Sequence, residues 1–107
     1  MTPRGYRQSR RDANHVELAA YWKAMGGTWQ DTHAVANALD GIAGAHGIDV
    51  RVEIKDGSKV PSARKLTEGE AQTFWAWKGR NPVVWESRED VEATMKALHD
   101  EAWGRHK

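Results

Sequence analysis

The chain has no cysteine, which removes disulfides, thiolate zinc sites and a cysteine nucleophile from the chemistry open to it. It also lacks any apolar run near the ~18 residues that a membrane-spanning helix needs. The opening Met1-Thr2-Pro3-Arg4-Gly5-Tyr6-Arg7 has no apolar stretch of the secretory kind, so a cytoplasmic protein with no membrane partner is expected. No internal repeat or low-complexity linker divides the 107 residues, which predicts one domain able to bury a modest core. Zinc-ligand spacing is absent among His15, His33, His46, His99 and His106, and each reads as a surface or cap residue. Gly41, Gly44 and Gly47 recur regularly, but the Lys-Ser/Thr of a phosphate-binding loop does not follow them. Ser58 and Ser62 have no evident base to activate them.

A net charge of +1 conceals an uneven distribution. Arg4, Arg7, Arg10 and Arg11 stand at one end with no acid among them, while Glu86, Glu89, Asp90, Glu92, Asp100 and Glu101 crowd the other. That asymmetry suggests a basic face for a polyanion, although a solvated tail would look the same.

After the basic arm of residues 1–11, Asp12-Ala13-Asn14 offers N-caps, and Val16, Ala19, Ala20 and Lys23 follow at helical spacing until Gly26-Gly27. A first helix over about 13–25 is predicted. Glu17, three residues after Asn14, either closes a capping box or turns a carboxylate toward the sheet. Residues 28–33 alternate as a strand, 34–38 are ambiguous, and 39–44 read as a second strand that Ala45-His46-Gly47 turns into a third.

That third strand, Asp49-Val50-Arg51-Val52-Glu53-Ile54-Lys55-Asp56-Gly57, organises the rest. Its pleat puts Val50, Val52 and Ile54 on one face and Arg51, Glu53 and Lys55 on the other. A wet outer face with an ordinary surface ion pair is one reading. In a central strand covered on both sides, however, the charges need partners or a metal. The hairpin carries Asp40 to the end of the third strand where Glu53 and Lys55 stand, so the three can converge.

Beyond it, Gly57 to Lys65 forms a loop whose Lys59, Arg64 and Lys65 are suited to phosphates. Thr67-Glu68-Gly69-Glu70 matches a capping box and opens a helix carrying Phe74, Trp75 and Trp77 up to Gly79. Those tryptophans read as core rather than as stacking platforms for bases, although Trp75 and Trp77 cannot share a helix face, so one of them is expected to show. Pro82-Val83-Val84-Trp85 reads as a buried strand, and Ser87 onward as a last helix with Val91, Met95, Leu98 and Ala102 in a stripe. The expected class is α/β, in the order α-β-β-β-α-β with a C-terminal helix and a mixed sheet flanked by helices.

With Asp40 and then Glu53-Ile54-Lys55 thirteen residues on, the chain resembles the PD-(D/E)XK nuclease superfamily. It looks most like small phage and bacterial members related to Holliday junction resolvases and VRR-NUC domains. The likeness runs from Arg11-Asp12-Ala13-Asn14 through Glu17, then Glu53 to Gly57, then Lys65-Leu66-Thr67, to the strand and helix after Gly79. It implies a restriction-endonuclease-like core forming a single nuclease domain. It also implies Mg²⁺ or Mn²⁺ bound by Asp40, Glu53, the Ile54 carbonyl and, in addition, Glu17, with Lys55 as the catalytic lysine. Leu39 stands where the family often has proline, which leaves Asp49 and Asp31 as alternatives to Asp40. The implied activity is metal-dependent DNA cleavage, in branched or structured DNA and by a homodimer. A DNA-binding module of the same fold without catalysis is the alternative. DNA contacts are expected from Arg4, Arg7, Arg10, Arg11, Lys59, Arg64 and Lys65.

Overall fold

Helix α1, Ala13–Ala24, buries His15, Leu18, Ala19 and Trp22, which lie on one stripe of a 3.6-residue turn. Of the stripe expected through Val16, Ala19, Ala20 and Lys23, Ala19 is buried, but Val16 is 58% exposed because the large Trp22 and Leu18 decide which side faces the sheet. Trp22 is fully buried and its indole N–H donates to the Thr28 carbonyl at 2.8 Å. The buried ring therefore leaves no unpaired donor and ties the helix to the strand that follows.

The computed structural model describes residues 13–56 and 66–105. After α1 come β1 (Thr28–Asp31), β2 (Gly41–Ala45), β3 (Ile48–Ile54), α2 (Glu68–Ala76), β4 (Val83–Trp85) and α3 (Arg88–Arg105). This is an α/β fold with a four-stranded mixed open sheet in the order β1-β2-β3-β4. β1 and β3 run antiparallel to β2, and β4 runs parallel to β3. The parallel pair requires a crossover, which α2 supplies.

The β2–β3 turn is two residues, His46 at φ 56° and Gly47 at φ 79°. Positive φ at both positions matches the hairpin turn whose twist suits flanking strands, and glycine takes the second position without strain. The turn sets the register Gly41↔Val52 through Ala45↔Ile48. The first two strands are shorter or shifted relative to expectation: β1 stops at Asp31 and β2 begins after Asp40. Thr32 accounts for this, since its N–H donates to the Asp40 carbonyl and its hydroxyl to the Leu39 carbonyl, closing a loop instead of a ladder.

Val50, Val52, Ile54, Trp85, Leu18, Trp22, Val91 and Leu98 form the core between the sheet and helices α1 and α3. Trp22 and Trp85 lie 5.4 Å apart between ring centroids, and Trp29 stacks on Trp85 at 5.6 Å. Replacing a ring of this kind by alanine removes about 3–5 kcal/mol. The opposite face of the sheet, with Arg51 and Glu53, turns toward α2, which buries none of its own side chains. The capping box at its start forms as expected, with Thr67 and Glu70 bonding each other's backbone N–H. The helix ends earlier than the predicted Gly79, at Ala76, and Trp77 is already extended.

Candidate active site

The end of the sheet away from the hairpin turn gathers the charged groups. Asp40, immediately before β2, stands beyond the Gly41↔Val52 pair and therefore opposite Glu53. Its Oδ2 accepts the Ile54 N–H at 2.7 Å, so the carboxylate caps the end of β3 where the ladder runs out. Gly41 permits the approach: a Cβ there would lie 2.2 Å from Cζ2 of Trp29. Lys55 follows β3, its N–H held by the Trp85 carbonyl and its own carbonyl by the Asn14 side-chain amide at 2.7 Å. Asn14, an N-cap by its local sequence, lies inside α1 and anchors the lysine's backbone instead.

Glu53 is 2% exposed, and its Oε1 is buried without a hydrogen-bond partner among the described residues. Burial, then the negative charge of Asp40 and the bond and charge of Glu70, push its pKa up to about 9, with Lys55 pulling the other way. Asp40 is also raised, by burial first, against the lowering bond from Ile54 and the charge of His15. Lys55 Nζ lies 3.3 Å from Glu53 Oε2 and 3.0 Å from Glu70 Oε1. Burial pulls the lysine down, but the bond to Glu70 and the two carboxylates outweigh it and hold the ammonium charged. Burial likewise pushes Glu70 up, while the Thr67 N–H, Glu53 and Lys55 leave it net lowered. Two carboxyl groups, Glu53 and Glu70, thus face one ammonium, and Asp40 adds a third carboxyl beside Glu53.

A histidine extends the cluster on the α1 side. His15 is 3% exposed; its Nε2 lies 3.2 Å from Asp31 Oδ2 and its Nδ1 3.7 Å from Asp40 Oδ1. His33 reaches the other oxygen of Asp31 at 3.1 Å. The expectation that His15 is a surface or cap residue is corrected: its i, i+3 and i+7 relation to Leu18 and Trp22 puts it on the buried stripe, a pattern the sequence contains. Glu70, by its local sequence, is only a capping residue. Its place three residues into the helix after the β3 loop is the available sign that it also faces Lys55.

The structure brings together Asp40, Glu53 and Lys55. It does not bring Glu17, whose carboxylate is 52% exposed and paired with Arg88 Nε at 3.1 Å across to α3; Arg88 draws it outward, away from the sheet. Of the alternatives to Asp40, Asp31 neighbours the cluster through His15, whereas Asp49 pairs with Gly44 near the hairpin turn, at the wrong end of β3. Arg4, Arg7, Arg10, Arg11, Lys59, Arg64 and Lys65 lie outside the described residues.

Among the described residues no three His, Asp or Glu side chains are grouped as a ready-made metal cage. Two carboxylates, a backbone carbonyl and water are a sufficient set for Mg²⁺, which usually keeps several waters and takes one or two carboxylates. The donor chemistry of Asp40 and Glu53 fits such an ion, and so does the orphaned Glu53 oxygen, which a hard cation would satisfy. Comparison with family models, with curated proteins and with solved structures gives no match to this chain.

Proposed function

We propose that the protein is a Mg²⁺- or Mn²⁺-dependent DNA endonuclease with a restriction-endonuclease-like core of the PD-(D/E)XK kind, acting on branched or structured DNA. The observation that carries this reading is Glu53. A carboxyl fully buried beside a second carboxylate, with a spare oxygen and an elevated pKa, is an expensive arrangement that a divalent ion would relieve. Asp40 and Glu53, with the Ile54 carbonyl, would hold the ion. Bound there, it would supply a Lewis acid for a phosphate oxygen and a lowered pKa for water.

The chain's own residues do the rest. Lys55, charged and fixed beside Glu53, donates hydrogen bonds to an attacking water or to the charge developing on the phosphate. Glu70 aims that ammonium, and Asn14 fixes the backbone from which it extends. Asp40, steadied by the Ile54 N–H and flanked by His15, keeps its carboxylate directed at the end of β3.

Glu53→Gln and Lys55→Ala test the reading on Holliday-junction and flap substrates with Mg²⁺ or Mn²⁺. Each is expected to lower the cleavage rate by about 10²-fold or more. Cleavage that persists at the wild-type rate in both variants removes the assignment. A binding module of the same fold would instead bind DNA with a steep dependence on salt and never cut it.

A further inference from the structure

The end of α2 is left without a role by the catalytic cluster. Trp75 is 77% exposed and Trp77 41%, in a fold that buries Trp22 and Trp85 completely. The expectation that one of the two rings shows and the other is core is corrected: both show, Trp75 from the exposed side of α2 and Trp77 from just past its end. Trp77 is not idle there. The Arg51 guanidinium carbon lies 4.1 Å from its ring centroid, and Arg51 Nε is buried with no hydrogen bond among the described residues.

Arg51 precedes Glu53 by two residues on β3, so both point to the same side of the sheet, about 6.6 Å apart along the strand. Trp77 therefore packs on the residue two positions before the catalytic carboxyl, on the same side of the sheet. A groove of about 200 Å³ lined by Ile42, Asp49, Arg51, Trp77 and Arg80 opens beside it. Arg80 Nε is engaged by Glu101 at 3.1 Å. Asp49 on the groove wall repels a phosphate, so a flat, uncharged aromatic occupant suits the groove better than the sugar–phosphate backbone.

We propose that Trp77, stiffened from behind by Arg51, is a stacking platform for an unpaired base of single-stranded DNA adjacent to the cleaved phosphate. The ring offers a π-face, the guanidinium restricts its rotation and polarises it, and the site lies on the same face of the sheet as Glu53 and Lys55. Bases within an intact duplex have both faces covered by their neighbours, whereas bases at a junction, flap or single strand do not. The placement beside a scissile phosphate rests on the nuclease reading; the affinity for unpaired bases does not.

The test uses the full chain in EDTA, with fluorescence anisotropy of labelled oligothymidylate and of a blunt duplex of equal length. Trp77→Ala is expected to weaken single-strand binding about tenfold, the loss of one base–aromatic stack, and to leave duplex binding unchanged. Trp77→Phe keeps a ring and is expected to retain most of the affinity, which guards against a folding artefact. The platform is overturned if Trp77→Ala binds the single strand within about twofold of wild type, or if it loses duplex affinity equally. Cleavage by Lys55→Ala is scored separately. Loss of metal-dependent cleavage there, with Trp77→Ala inert in binding, removes the platform and keeps the nuclease. A Trp77-dependent single-strand affinity in a protein that never cuts does the reverse.

Discussion

Glu53 carries a conflict between stability and chemistry that can be measured. Its pKa lies near 9 in the folded protein and near the ordinary 4.5 when unfolded. As pH rises through that interval the unfolded chain releases a proton that the native state retains, so this group's contribution to stability is greatest below about 4.5, falls across the window and levels off above about 9. In the metal-free protein Glu53→Gln removes the titration, and thermal unfolding in EDTA should show the variant increasingly more stable than wild type as pH rises. Mn²⁺ should close the gap by raising wild type alone. A gap that stays constant with pH would mean that burial does not hold the proton on Glu53. His15 is the second residue of consequence. His15→Ala leaves Asp31 and Asp40 without their shared neighbour, which is expected to cost about 1–3 kcal/mol in urea unfolding and to weaken Mn²⁺ binding about tenfold in calorimetric titration.

At the scale of the elements, the hairpin positions the site, and its tightest point is Gly41. Gly41→Ala pushes a methyl group into Trp29, which stacks on Trp85, and shifts the residue next to Asp40. Urea unfolding is expected to show a loss of about 1–3 kcal/mol with an unchanged m-value, together with reduced cleavage. The hairpin is legible in the sequence because Ala45-His46-Gly47 lies between two apolar runs and its turn type admits little latitude in register. The element order follows in the same way, from caps at Thr67 and stops at Gly26-Gly27. What local sequence does not reveal is any interaction made across the molecule. Asn14 looks like a cap in isolation and is a tether to Lys55 only once α1 is laid on the sheet. Glu17 has the spacing of a site residue, but Arg88 lies 71 residues away in sequence and local spacing says nothing of it. Ring size favours the core for a tryptophan, but α2 buries none of its side chains, Trp75 included, and ends at Ala76, before Trp77.

For the molecule as a whole, the question is how a chain of net charge +1 could hold a polyanion. The arginines at positions 4, 7, 10 and 11 concentrate positive charge at the opposite end of the sequence from the acidic stretch 86–101, and sequence-independent binding to phosphates is what such a segment can provide. Replacing all four by alanine should lower the slope of log affinity against log salt by about 0.9 for each phosphate no longer neutralised, while Glu53→Gln leaves that slope unchanged. An arginine variant whose slope equals wild type would place the phosphate-binding groups elsewhere. Both outcomes leave the central claim to a single observation, the position of Mn²⁺ by anomalous scattering in crystals soaked with the ion. One peak is expected about 2.1 Å from a carboxylate oxygen of Asp40 and of Glu53, with the Ile54 carbonyl completing the protein's share of the ligands. Crystals saturated with Mn²⁺ and showing no peak between those two carboxylates would contradict it.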